Sequence, residues 1–214
     1  MSVLKRINYN KMIGFLAKRQ RGKDTACDYL VENYGYTKRA FAYPLKKGVQ
    51  EWFGFSDEQL FTEKKEEEDK NWGVSPRHVC QVVGSEVVRD MFPKILLPHI
   101  GNDFWVRRGD IWYENNKDSH QGKVVWSDVR FQNEVDYILS KGGIIVKIDR
   151  PELDAKESEK TDSHQSELCI DKINNYSGKI LNVGTLDDFY EDIDWLMSID
   201  RKLLNGGINI SRRI

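Results

Sequence analysis

The stretch Lys11-Met-Ile-Gly-Phe-Leu-Ala-Lys-Arg-Gln-Arg-Gly-Lys-Asp-Thr-Ala-Cys-Asp-Tyr-Leu30 decides how the chain folds. Met12 to Leu16 is an apolar run too short for helical periodicity, and it runs into a basic turn. Gly22-Lys23-Asp24-Thr25 then opens a segment with Ala26, Leu30 and Val31 at helical spacing. The order is strand, loop, helix.

A helix start leaves backbone N–H groups unpaired, with the positive end of the helix dipole behind them, so it is a ready anion site. Gly22 lets the backbone wrap closely around a phosphate, and Lys23 can reach the β- and γ-phosphates of a nucleotide. The stretch therefore reads as a P-loop. It departs twice from the strict G-x-x-x-x-G-K-[ST] pattern: Ala17 replaces the first glycine and Asp24 replaces the hydroxyl residue. Ala17 is accommodated if its φ is negative, and Thr25, one place on, can offer the hydroxyl toward Mg²⁺. The bland reading is a basic surface turn or a localisation patch, because Lys18, Arg19, Arg21 and Lys23 are crowded together. The flanking strand and helix favour the nucleotide site.

The chain has 214 residues, 39% of them hydrophobic, which suits one sizeable core with insertions better than two large domains. Lys and Arg (33) nearly balance Asp and Glu (34), so no general attraction to nucleic acid or anionic membrane is expected. Cys27, Cys80 and Cys169 are scattered and lack metal-ligand spacing, which fits a reducing compartment. No secretion signal and no membrane-spanning apolar run is read, and the cytoplasm, a host's if the chain is viral, is the expected location.

Thr37 to Ala42 reads as a second strand and Tyr43-Pro44 as the start of a helix through Trp52, so strands and helices alternate as in a parallel sheet. Asp57 to Lys70 is dominated by charge and reads as a solvated helix face or loop. Ser75-Pro76 caps a helix with Val79, Val82, Val83, Val87 and Met91 at helical spacing, interrupted by Gly84-Ser85. A glycine there costs about 1 kcal/mol against alanine, so close approach of a ligand or a neighbouring helix is expected. Phe104, Trp105, Trp112 and Tyr113 read mostly as core, with at most one or two left for a base pocket.

Lys123 to Asp128 is an apolar strand delivering Asp128 at its carboxyl end, the edge where open α/β sheets bind ligands. Arg130 follows, and Phe131-Gln-Asn-Glu134 leads a helix to Gly142-Gly143. Capping and surface charge would explain Asp128, Arg130 and Glu134 as well as ligand binding would, and the upstream loop tips the reading to function. Ile144 to Ile148 is a buried strand, ending in Asp149-Arg150-Pro151. The polar stretch from Glu152 to Asn175 reads as a lid, and His164 within it as a solvated or capping residue rather than a catalyst. Lys179 to Val183 is the last strand, Thr185 to Asp188 a capping box, and Asn205 to Ile214 a frayed tail.

With both informative stretches placed, the sequence resembles the phage and viral deoxynucleoside monophosphate kinases, a branch of the P-loop nucleoside monophosphate kinase fold. The likeness rests on Ala17-Lys-Arg-Gln-Arg-Gly-Lys-Asp-Thr25, Gln81-Val-Val-Gly-Ser-Glu86, Asn102-Asp-Phe-Trp-Val106, Asp128-Val-Arg-Phe-Gln-Asn-Glu134, Arg150-Pro151 and Asn182-Val-Gly-Thr-Leu186. It implies a three-layer α/β domain with a five-stranded parallel sheet. The core would be residues 11–56 and 123–200, with a helical acceptor-binding insertion at about 57–122 and a lid at about 151–176.

By the same likeness, Ala17, Lys18, Gly22, Lys23, Asp24 and Thr25 would hold ATP, with Arg150 near its base or the lid. Arg19, Gly84, Ser85, Trp105, Asp128, Arg130 and Glu134 would meet the deoxynucleoside monophosphate. Lys23, Arg19, Asp128 and Arg130 would carry the transfer, and Thr25 and Asp128 would hold Mg²⁺. ATP and the monophosphate are the implied partners, and a homodimer is compatible with the likeness. Two alternatives stay open: a P-loop kinase of another phosphorylated small molecule, of phosphomevalonate or dephospho-coenzyme A type, and a nucleotide-binding protein without turnover.

Overall fold

The computed structural model describes residues 11–153, 169–199 and 208–209. They divide into two compact units, one made of the residues up to Ala40 and from Asn116 onward, the other of Phe41–Asn115. The helical unit thus opens at Phe41, where the family likeness implied an insertion from about 57.

The first unit is built on a parallel sheet of β1 (Ile13–Leu16), β2 (Thr37–Arg39), β3 (Val124–Val129), β4 (Ile144–Asp149) and β5 (Gly178–Leu181), in the order β2-β3-β1-β4-β5. A sixth strand of two residues, β6 (Ile208–Asn209), extends it beside β5, where the sequence suggests only a frayed tail. β1 is central and every residue in it is buried, which is why it reads as an unbroken apolar run.

Helices cover both faces. Ile13, Phe15, Val125 and Val146 share one core with Ala26 and Leu30 of α1 (Lys23–Tyr34) and with Phe189 and Ile193 of the helix Leu186–Ser198, here α9. The intervening Gly14 faces the other way, toward Ile138 of α8 (Gln132–Ser140). A Cβ at Gly14 would lie 2.6 Å from Ile138 Cδ1 and 2.8 Å from Ile145 Cδ1, so the missing side chain lets α8 seat directly on the strand. Trp126, level with Gly14 on β3, meets Tyr137 of α8 edge-on at 6.2 Å.

The helical unit packs α2 (Tyr43–Phe53), α3 (Asp57–Phe61) and α4 (Pro76–Val82) around Val49, Phe55, Leu60 and Val79, and also holds α5 (Phe92–Ile95) and α6 (Phe104–Asn115). The charged stretch is ordered: Ser56 and Gln59 form a reciprocal cap on α3, and Leu60 anchors it to the core. Ser75 caps α4 by accepting from the His78 N–H, as its place before Pro76 predicts.

From Val83 to Met91 this helix continues with π-type, i to i−5 hydrogen bonding. The wider turn changes the phase, so Gly84 and Val88 are buried while Met91 is 47% exposed. A pure 3.6-residue period would have buried Val87 and Met91 instead.

The short helix α7 (Lys117–His120) leads back into the sheet unit. Of the stretch read as a lid, residues 154–168, including His164, lie outside the described residues. Among the described residues no helix is long and apolar enough to cross a membrane.

Candidate active site

β1 ends at Leu16, and the loop from Ala17 to Gly22 carries the chain into α1. Ala17 is buried and is not among the residues of positive φ, which explains why this position accepts a methyl group in place of the usual glycine. Gln20 (φ 60°) and Gly22 (φ 99°) are left-handed, while Arg21 between them and Lys23 after them are not. Such alternation turns successive backbone N–H groups inward to form an anion-binding nest, here at the N-terminus of a 12-residue helix.

The loop's side chains are tied to its own backbone. Lys23 is 9% exposed and its ammonium folds back to 3.5 Å from the Lys18 carbonyl oxygen. Arg21 is 1% exposed, and its guanidinium donates to the Arg19 carbonyl at 3.3 Å. Lys18 Nζ pairs with Asp171 at 2.8 Å. Asp24, the residue that replaces the usual hydroxyl, is turned to Lys38 on β2, and half-buried Thr25 follows it in the first helical turn.

β3 delivers its residues to the same sheet edge. Gly14 aligns with Trp126 but Leu16 aligns with Val129, so β3 carries one extra residue at Ser127–Asp128. That bulge lies beside the start of the phosphate loop and re-aims the side chains around it. Ser127 Oγ donates to the Arg39 carbonyl on β2 at 3.3 Å. Asp128 is half-buried, and its charge reaches α1: the Cys27 thiol is pushed well up first by burial, and Asp24, Asp28 and Asp128 add to this against Lys38.

Glu134 is 3% exposed, and its Oε2 accepts from the backbone N–H groups of Arg130 (2.8 Å) and Phe131 (3.1 Å). The carboxylate therefore shapes the turn that presents Arg130, which is the capping alternative weighed from sequence. Arg150 leaves β4 at this edge too, one residue past Asp149, which aligns with Leu181 of β5. Residues 17–25, 128–134 and 150 are thus gathered at one end of the sheet. Among the described residues no group of three or more His, Cys, Asp or Glu could hold a metal on its own.

Gly84, Ser85 and Trp105 belong to the helical unit. Trp105 is buried, and its indole N–H donates to the Gly84 carbonyl at 2.9 Å, partnering a carbonyl in the π turn. A Cβ at Gly84 would stand 2.6 Å from Leu45 Cδ2, so helix approach supplies the reason for a glycine here. Gly84 and Trp105 form one structural element, with Ser85 next to it in the same turn.

Sequence reasoning gave no role to Lys38, Asp171 or Asn182. Asn182 Nδ2 donates to the carbonyl of Arg21 across 161 positions of sequence at 3.1 Å, a contact that no local pattern announces.

With this geometry in hand, comparison with known proteins decides the family. The family model of deoxynucleotide monophosphate kinases matches residues 50–193, more than half the chain. The chain belongs to the deoxynucleotide monophosphate kinase family. A protein of Acanthamoeba polyphaga mimivirus, provisionally named a deoxynucleotide monophosphate kinase, is 37% identical over 187 residues, covering 85% of this chain and 93% of its own. The crystal structure of TT1252 from Thermus thermophilus aligns over 88% of this chain and 96% of its own, at 15% identity and a TM-score of 0.47. Kinase membership is thus carried by residues 50–193, which include Asp128, Arg130 and Glu134; the phosphate loop lies ahead of them and is read from its own geometry.

Proposed function

We propose that this kinase transfers the γ-phosphoryl group of ATP to a deoxynucleoside 5′-monophosphate, giving ADP and the deoxynucleoside diphosphate. The observation that carries the reading is the nest at Gln20–Lys23, which opens at the same sheet edge as Asp128 and Arg130. One cradle takes the donor phosphates and a carboxylate–guanidinium pair lies one strand away.

The acceptor needs no general base. Its phosphate has a second pKa near 6, so at neutral pH the attacking oxygen is already mostly ionised. Catalysis is then positioning and charge neutralisation. Lys23 leaves the Lys18 carbonyl for the β- and γ-phosphates, Arg19 and Arg130 offset charge on the transferring group, and the loop amides hold the rest. In the sheet unit the acceptor contacts are assigned to Arg130 and Asp128.

The donor set fits Mg²⁺. One hydroxyl and one carboxylate, Thr25 and Asp128, with no all-protein cage among the described residues, match a cation that keeps waters and binds largely through substrate phosphates. Held by Thr25 and Asp128, the ion would offset negative charge on the nucleotide phosphates.

The test is a steady-state survey of ADP release with the four deoxynucleoside monophosphates and their ribose counterparts, with and without magnesium. Turnover with at least one deoxynucleotide supports the reading. No transfer to any nucleotide, with Lys23→Ala equal to wild type, overturns it.

A further inference from the structure

Asn182 begins the turn after β5 and is anchored there by its own backbone, whose N–H donates to the Asp149 carbonyl at 2.8 Å. From this support the side-chain amide reaches the phosphate loop and donates to the carbonyl oxygen of Arg21 at 3.1 Å. The same nitrogen stands 2.7 Å from where a Cβ at residue 22 would lie, with the ring of buried Phe189 at 3.3 Å on the same side.

We propose that Asn182 is a positioning residue that sets the direction of the Arg21–Gly22 peptide and thereby one of the loop's phosphate-binding N–H groups. This rests on reading residues 17–25 as the nucleotide phosphate site. In a trans peptide the C=O and N–H point in opposite directions, and no described peptide is cis. Fixing the Arg21 carbonyl on Asn182 therefore aims the Gly22 N–H the other way, out of the support and into the loop.

The device is needed because Gly22 has no side chain to restrain it. Glycine populates both signs of φ with similar ease, so the peptide before Gly22 can rotate and turn a carbonyl oxygen toward the bound anion. Asn182 and Phe189 fill the space behind Gly22, and the amide holds the one orientation in which the backbone donates.

Isothermal titration of the full-length protein with magnesium tripolyphosphate and with MgADP tests this. Asn182→Ala should weaken both ligands about tenfold, the size of one lost hydrogen bond at the upper end of its range. Asn182→Asp keeps the shape but, when ionised, cannot donate, so at pH 8 it should bind at least as weakly. Its deficit relative to wild type should shrink as pH falls through the ordinary aspartate range near 4, where a growing share of protonated carboxyl can donate again.

A packing role alone would leave the isosteric Asp variant close to wild type at every pH. If both variants bind like wild type while Lys23→Ala binds neither ligand, the proposal is wrong and the phosphate site stands. If wild type binds neither ligand, the phosphate-site reading falls and takes the proposal with it.

Discussion

The ammonium of Lys38 lies 3.2 Å from the carboxylate of Asp24, the residue that follows the P-loop lysine, and 2.8 Å from Asp28 one turn along α1. A negative charge beside bound phosphates would oppose them, and two carboxylates at i and i+4 also oppose each other. Lys38 answers both. Burial alone would lower its pKa, but hydrogen bonding to Asp28 and the charge of Asp24 outweigh this and raise it above the usual 10.5, so the ammonium persists through neutral and mildly alkaline pH.

Lys38→Met should therefore raise the KM for ATP about two- to fivefold, the scale of a part-exposed ion pair, and leave the acceptor KM unchanged. Adding Asp24→Asn should restore it, because the charge that needed an answer is gone. Steady-state kinetics on the two single variants and the double would decide, and independent, additive effects would refute the link.

Trp105→Phe tests the π turn. It keeps an aromatic ring but removes the N–H donated to Gly84, leaving a carbonyl without that donor in a buried site. The expected loss is about 1–3 kcal/mol in urea unfolding. If Gly84 and Ser85 meet the acceptor, its KM rises while the KM for ATP does not.

Glu134→Ala removes the acceptor for two backbone N–H groups at the turn bearing Arg130. Stability should fall by about 1–3 kcal/mol and turnover should fall with it, whereas Glu134→Gln, which retains an amide oxygen, should recover most of the stability. Paired denaturation and rate measurements separate this structural role from direct ligation, in which the Gln variant would stay inactive at full stability.

An alkaline transition is expected on the α1–α9 surface. Burial, and then the hydrogen bond to Asp194, push the Tyr29 pKa up to about 12, and the Tyr34 hydroxyl shares the same carboxylate oxygen. A raised phenol pKa means the fold favours the neutral form. Its contribution is intact below pH 10 and is lost as pH climbs from there toward 12. Unfolding midpoints followed between pH 9 and 12 should drop less steeply in Asp194→Asn than in wild type.

Much of this was written locally. An apolar run meeting Gly22-Lys23 specified strand, loop and helix, and Ser75-Pro76 and Thr185 with Asp188 marked helix starts because a cap is a contact within three residues. Asp128 could be placed at the sheet edge because the apolar run Val124-Val-Trp126 leads up to it. What sequence did not reveal depends on geometry that has no period. The π turn moved the buried positions from Val87 and Met91 to Val88, and the bulge in β3 is visible only against β1. Glu134 looked like a ligand, yet one of its oxygens organises the turn, a choice that side-chain identity leaves undecided. The contacts from Asn182 to Arg21 and from Lys18 to Asp171 join distant segments that only the closed sheet unites.

The bare strand position at Gly14 extends the consequences of the site to a place no substrate touches. Ile138 and Val129 crowd that point, and the chain between them is the arch that shows Arg130 to solvent. A single methyl group there would press on the δ-carbons of Ile138 and Ile145, the free ends of flexible side chains, so Gly14→Ala should emerge from a screen as a folded protein of lowered stability, with any loss of turnover passing through the arch that bears Arg130.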